Sequence, residues 1–352
     1  MSWTVRLLDY GLTQTGETLT VSELRAELET NSVHVMDVTV PATRPLKAWK
    51  MDTPALLYRS VSTSNAPARI DAVWFLRAVS ETLAPDGTRT QTLRFVSGVD
   101  LLRRRIAYAY AGSASVDVSG AADTVAAAAV TAFCGSGATH PVSGLSIITP
   151  SGTCPTISIA FAYRNILDVL RDMCALSARA GQRMFFDVVF RDGLEFRVYM
   201  TQRGKDLASL GIRAALSEYV LSYDAVNERN YIYAGGTGER TARILAYASD
   251  DTRTGATPWA LSEHFCDLSN LDTVAELEAA AASELERRTP RRTLRGTVTE
   301  ADGFVFGVDW GLGDAILAEL GDGAVVTASL EHVSIRYDAR GDIVTASVEE
   351  VL

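Results

Sequence analysis

The chain contains no run of 18 uncharged apolar residues, so no stretch of it reads as a membrane-spanning helix. Its first residues, MSWTVRLLDYG, lack the basic-then-apolar layout of a secretion signal, and a protein made in the cytoplasm with no stable membrane insertion is expected. Cysteine is scarce. Cys134, Cys154, Cys174 and Cys266 stand far apart without a C-x-x-C pair, which argues against a zinc knuckle or a redox dithiol; those in apolar helical stretches are expected as buried free thiols. Histidine is equally scarce. His34, His140, His264 and His332 are widely separated; His34 reads as a cross-strand polar residue, and His140, with no acid or nucleophile at motif spacing, as a loop residue. Positive charge is in deficit, 33 basic against 43 acidic residues for a net charge of −10, which disfavours a dedicated nucleic-acid binder.

A phosphate-cradling loop is also missing. Between Asn230 and Tyr247 the corner Gly235-Gly236-Thr237-Gly238 has extended runs on both sides, where such a loop needs a strand before it and a helix after it. The stretch reads as a β-hairpin, its glycines permitting a tight reversal.

What is present is the balance of a globular protein: 47% hydrophobic and 22% charged residues, in 352 residues that favour two or three domains. Period-2 alternation marks strands at Trp3–Leu7, Ser22–Glu29, Val33–Val40 and Ala55–Ser60. Leu24 and Leu28 are also one helical turn apart, but Glu23, Arg25, Glu27 and Glu29 between apolar residues favour the strand. Strands at Ala72–Leu83 and Thr88–Val96 follow, joined by Pro85-Asp86-Gly87, and then a short helix over Leu101–Ile106. From Ala107 to Ser158 the composition shifts to Ala, Gly, Ser and Thr, with a helix over Thr124–Phe133 capped by Asp123. Asn165 caps a stronger helix, Ile166–Ala180, ahead of a hairpin turning at Arg191-Asp192-Gly193. The second half adds strands at 218–224, 230–234 and 241–248, a helix at 273–288 ended by Pro290, and strands at 291–299, 315–319, 324–337 and 342–351.

The expected fold is therefore α+β and mostly β, with two β-barrel-like domains and helical inserts: 1–112, completed by the hairpin 183–200, a helical or irregular insert 113–182, and 201–352 with an inserted helix 273–288. Catalytic, cofactor and metal residues are expected to be none. His264 and Cys266 would share a strand face and suit a metal pair, but two donors do not close a site. Glu300 and Asp302, near Asp309 and Asp314, are carboxylates of a plentiful type at loop spacing and do not indicate glycosidase chemistry. The spacing of the aromatic residues reads as core, not a stacking platform. Arg103, Arg104 and Arg105 read as a solvated face or as ion-pair partners for a neighbouring subunit.

Four stretches together resemble a known family, the tail hub or tail-tip proteins of long, non-contractile-tailed phages, whose fold resembles the baseplate hub of contractile tails. They are Ser97-Gly98-Val99-Asp100 with the following Leu-Leu-Arg helix; the helix Asn165 to Gly181 with the hairpin Phe185 to Met200; Asn230 to Glu239 with Thr241-Ala242-Arg243; and Val308-Asp309-Trp310-Gly311-Leu312-Gly313-Asp314. Their order spans roughly residues 70 to 350. The resemblance implies a structural, non-enzymatic virion protein at the tail tip: a homotrimer whose six barrel-like domains adapt the sixfold tube and distal tail protein hexamer to a threefold tip. It implies a channel that holds the C-terminus of the tape-measure protein and passes DNA only in transit, and attachment of tail fibre or tip proteins. Gly235, Gly236 and Gly238 would shape the hairpin corner, and Gly311, Gly313 and Asp314 the turn entering a barrel strand. The alternatives are a tail-associated peptidoglycan hydrolase or peptidase, and the hub of a contractile injection system.

Overall fold

The structure, a computed structural model, describes residues 2–61, 67–108, 115–269, 271–300, 304–320 and 323–351. Asp302 and Gly303 lie outside them. The fold is mostly β, with two barrel-like modules and helical inserts.

The first module begins with β1 (Ser2–Leu8), β2 (Gln14–Thr20), β3 (Glu23–Glu29), β4 (Val35–Pro41), β5 (Pro54–Ser60), β6 (Ala68–Leu83) and β7 (Arg89–Ser97). They pair antiparallel in the order β2-β1-β5-β6-β7-β4-β3. In β3 every second residue is buried, with Leu24, Ala26 and Leu28 inside and the charged residues out, so packing settles the strand against the helical spacing. β2 carries almost no apolar signal, since QTGETLT buries only Leu19. At Gly98 the chain leaves β7 and its pairing with β6, donating its N–H to the Val73 carbonyl at 2.9 Å. A Cβ there would lie 2.8 Å from methyls of both Val73 and Val188, so glycine is what lets a later strand take over the β6 edge.

The insert follows as α1 (Asp100–Arg103), β8 (Ile106–Ala107), β9 (Val116–Ala121), α2 (Ala122–Cys134), β10 (Leu145–Ile147), β11 (Thr156–Phe161), β12 (Arg164–Asn165) and α3 (Ile166–Arg179). α1 is shorter than the expected 101–106. Asp123 sits inside α2 instead of capping it, and its carboxylate accepts the N–H groups of Thr124 and Gly152. The Asn165 side chain does cap α3, accepting the Asp168 N–H at 3.0 Å. Val130, Phe133, Leu170 and Met173 of the two helices share one core with Phe186 and Phe196 of the hairpin β13 (Met184–Phe190) and β14 (Leu194–Met200). β13 is buried along its whole length and pairs with β6 through Val189 and Ala72.

After β15 (Arg213–Asp224) the chain builds β16 (Tyr231–Gly235), β17 (Leu245–Ser249), α4 (Asp251–Thr254), β18 (Glu263–Asp267) and α5 (Val274–Arg288). It then returns through β19 (Arg291–Thr299), β20 (Ala315–Glu319), β21 (Val325–Asp338) and β22 (Gly341–Val351). The pairing β21-β20-β15-β19-β22 closes on itself through β21–β22, giving a five-stranded ring around Val298, Ile316, Leu330, Ile335 and Val344. β3 pairs with β21, so a strand from near the start of the chain and one from near its end are neighbours in one sheet.

Two compact units result, residues 1–219 with 296–349 and residues 220–295 with 350–352. Both modules belong mainly to the larger unit. Where the sequence suggested one continuous module over 201–352, strands β16 to β18 form a separate three-stranded sheet, with Leu277 and Ala281 of α5 packed on Ile232, Ala234 and Ala246. This sheet has its own helix and apolar core. The strand expected from 241 starts at Leu245, because residues 240–242 form a 3-10 turn with Arg240 at φ 52°.

Candidate functional site

Within the larger unit the two modules meet at a seam, and the seam is built from charges withdrawn from water. Arg59 of β5 is fully buried. Its guanidinium donates Nη2 to Glu300 Oε2 at 2.6 Å and to Asp342 Oδ2 at 2.6 Å, Nε to the same Asp342 oxygen at 3.0 Å, and Nη1 to the Phe306 carbonyl at 3.1 Å. It also lies over the Trp3 ring, 5.1 Å from the centroid. Burial opposes its charge, yet the Glu300 and Asp342 carboxylates outweigh that and hold its pKa above the ordinary arginine value. One side chain of the first module thus anchors the end of β19 and the start of β22. Glu300, noted in the sequence only as one acid among many, is a structural counter-ion.

A second clamp joins the hairpin to the loop before β20. Asp187, buried in β13, accepts from Arg203 at 2.9 Å and 2.5 Å, and Arg203 also donates to the Leu312 carbonyl at 2.9 Å. Burial pushes the Asp187 carboxyl up, but the Arg203 guanidinium and His34 bring it well below the usual range. His34, expected as a cross-strand polar residue, bonds across to Ser97 and is buried. It is 2% exposed, its Nδ1 accepts the Glu29 N–H at 3.1 Å, and its Nε2 stands 4.0 Å from Asp187.

Asp314 fixes the entry to β20 as the sequence suggested: its two oxygens accept the Lys205 N–H at 2.6 Å and the Gly311 N–H at 2.8 Å. Gly313 has φ 81°, whereas Gly311 meets nothing within 4 Å and is not required by geometry. In the hairpin corner only Gly238, at φ 96°, uses the left-handed region. Gly235 and Gly236 serve by closeness instead, since a Cβ would reach Phe265 and Leu277. Arg103 and Arg104 pair with Asp100 of their own helix, Arg104 also with Asp52, and Arg105 donates to the His140 carbonyl. Arg103 and Arg104 are therefore ion-paired within the chain, whereas Arg105 has a backbone carbonyl as its partner. His332 pairs with Glu27 at 3.2 Å.

In the smaller unit the strand β18 does put His264 and Cys266 on one face, and α5 adds a third donor, Glu284, all within 4.8 Å of one another. Spacing could not show Glu284, which is 18 residues from Cys266. Its carboxylate is already held by Arg287 and Arg288; the Arg287 hydrogen bond is the main cause of a pKa lowered to about 2, and Arg288 also reaches His264 at 3.2 Å. Two guanidinium groups beside three donors favour an ion-pair network over a divalent cation. The outer face of the same sheet corrects the reading of its aromatics as core. Tyr231 stacks on Tyr247 at 5.6 Å, and Tyr233, Tyr247, Leu245 and Phe265 are exposed.

A family model described as Siphovirus ReqiPepy6 Gp37-like protein matches residues 4–348. The chain belongs to this family. No curated protein matches it. Among solved structures, the 43 kDa tail protein of prophage MuSo2 from Shewanella oneidensis is similar over 99% of this chain and 98% of its own, at 10% identity and a TM-score of 0.58. A tail protein from Neisseria meningitidis MC58 is similar over 99% and 97%, at 12% identity and a TM-score of 0.56. A chain of the Francisella PdpA-VgrG complex is similar over 99% of this chain and 52% of its own, at 11% identity and a TM-score of 0.55. At such identities the likeness is one of fold. The family member described here thus has the fold of these phage tail proteins.

Proposed function

We propose that this protein is the structural tail hub at the distal tip of the phage tail, a homotrimer that adapts the sixfold tail tube and distal tail ring to a threefold tip. The observation that carries this reading is the presence of two barrel-like modules in one polypeptide, locked by β3–β21 pairing and the buried Arg59 clamp. Three copies then offer six similar modules at fixed spacing, which a sixfold partner requires. The net charge of −10 suits a channel that passes DNA without holding it. The exposed apolar face of β16 to β18 suits burial against other tail proteins, with the distal tail protein, the tape-measure C-terminus and the tip or fibre proteins as partners. The role is one of assembly, not catalysis.

Mass photometry of the purified chain, alone and with the distal tail ring, tests this. A species of three times 37.9 kDa, or three copies per ring, is expected. A monomer that does not associate with the ring refutes the reading. The Francisella likeness favours a second context, the hub of a contractile injection device; co-purification with a sheath protein would select it.

A further inference from the structure

A cavity of about 420 Å³ opens in the larger unit where the end of β3, the start of β6, the β13–β14 turn, residues 203–205 and the loop before β20 come together. Its floor is apolar and buried, formed by Leu28, Ile70, Phe306, Trp310 and Leu312. Its remaining lining is cationic, with Arg69, Arg191, Arg203 and Lys205 against Asp71 and Asp314. These charges are not equally free. Arg203 is neutralised by Asp187, and Asp314 is occupied by two backbone N–H groups. Among the described residues the side chains of Arg69, Arg191 and Lys205 make no hydrogen bond or ion pair; Arg69 only lies 5.8 Å from the Phe190 ring centroid. Three cations without a hydrogen bond or ion pair among the described residues therefore line the cavity, opposed by Asp71 and, across a longer distance from Lys205, by Asp314.

His34 adds a directional feature. Its Nδ1 accepts a backbone N–H, which places a proton on Nε2, and that buried nitrogen has no hydrogen-bond partner, the nearest carboxylate oxygen, of Asp187, standing 4.0 Å away. A buried donor left unpaired costs free energy, and an acceptor arriving in the cavity would relieve it. The volume lies at the small end of ligand-sized cavities, roughly 300–1,000 Å³, which admits a side chain or chain end but not a helix or strand.

We propose that this cavity is a recognition site for a carboxylate on a short apolar stem, supplied by the acidic chain end of a partner protein. The apolar floor takes the stem; Arg69, Arg191 and Lys205, with the His34 Nε2–H, take the charge. Nothing in it depends on three copies assembling. Isothermal titration calorimetry of the full chain tests it with three probes: acetyl-Leu-Leu-Glu, its uncharged counterpart acetyl-Leu-Leu-Gln-amide, and succinate. The charged tripeptide is expected to bind and the uncharged one not. Arg191→Gln and Lys205→Gln, both at exposed positions, should each weaken binding by about tenfold, the equivalent of one charge-assisted hydrogen bond. Arg340→Gln, in the β21–β22 turn, should leave it unchanged. Succinate binding as tightly as the tripeptide would overturn the peptide source while keeping the carboxylate site. Equal binding of the uncharged tripeptide, no saturable heat with any probe, or wild-type affinity in the Arg191→Gln/Lys205→Gln double variant would overturn the proposal.

Discussion

Replacing Arg59 by methionine keeps most of the side-chain volume and removes the charge. Glu300 and Asp342 would then face each other without a counter-ion. Each has an oxygen 2.6 Å from Arg59 Nη2, so those oxygens lie no more than about 5 Å apart. At an effective dielectric constant of about 20, two unit charges at that separation repel by roughly 3 kcal/mol. Breaking a buried ion pair from one side costs about 3–5 kcal/mol in general, which agrees. At about 2–4 °C per kcal/mol for a large domain, the larger unit should melt on the order of 10 °C lower. Differential scanning calorimetry measures this without assuming a two-state chain. The triple variant Arg59→Met/Glu300→Gln/Asp342→Asn carries no stranded charge, and the amide oxygen introduced at position 300 would still accept the Phe306 N–H that Glu300 accepts at 2.5 Å. It should recover at least half of the lost stability. A single variant that melts within about 2 °C of wild type, or a triple variant no better than the single, would refute the reasoning.

Gly98→Ala should cost about 1–3 kcal/mol by overpacking against Val73 and Val188, measured by chemical denaturation; a Gly137→Ala control, which meets nothing within 4 Å, should cost less than about 1 kcal/mol. The Glu284 carboxyl, lowered to about 2 against roughly 4.3 when unfolded, stabilises the native state fully above the unfolded value and loses that contribution as pH falls toward 2. The melting difference between wild type and Glu284→Gln should therefore be constant above about pH 5 and shrink toward zero between about pH 4 and pH 2; a pH-independent difference would contradict it. Burial pushes the Cys134 thiol to about 11 and Cys174 to about 12, and Cys154 is buried as well. Native protein at about pH 8 should yield at most the half-buried Cys266 to Ellman's reagent, and all four thiols only after denaturation.

Most of the secondary structure was legible because most strands have one face in a core. The β3 alternation, the Asn165 cap and the Arg191-Asp192-Gly193 turn each state their geometry within a few residues. β2 was not legible, because nearly all of it is exposed, and neither was the separate sheet of β16 to β18, since a hairpin looks the same whichever core it joins. Its aromatics were misplaced for a related reason: alternation shows that two faces differ but not which one is covered.

The sequence by itself determined the periodicities, the turns, the acidic balance, the scarcity of donors for metal or nucleophilic chemistry and, through four short stretches, the resemblance to tail hubs. Only the tertiary structure decided that Arg59, Glu300 and Asp342 form one clamp across 283 positions, that Glu284 joins His264, and that His34 faces a cationic cavity. The physical reason is that local patterns are written by neighbours within a turn or two. Charge pairing depends on distance in space, and residues far apart in sequence are brought within a few ångströms only when the two modules fold and meet.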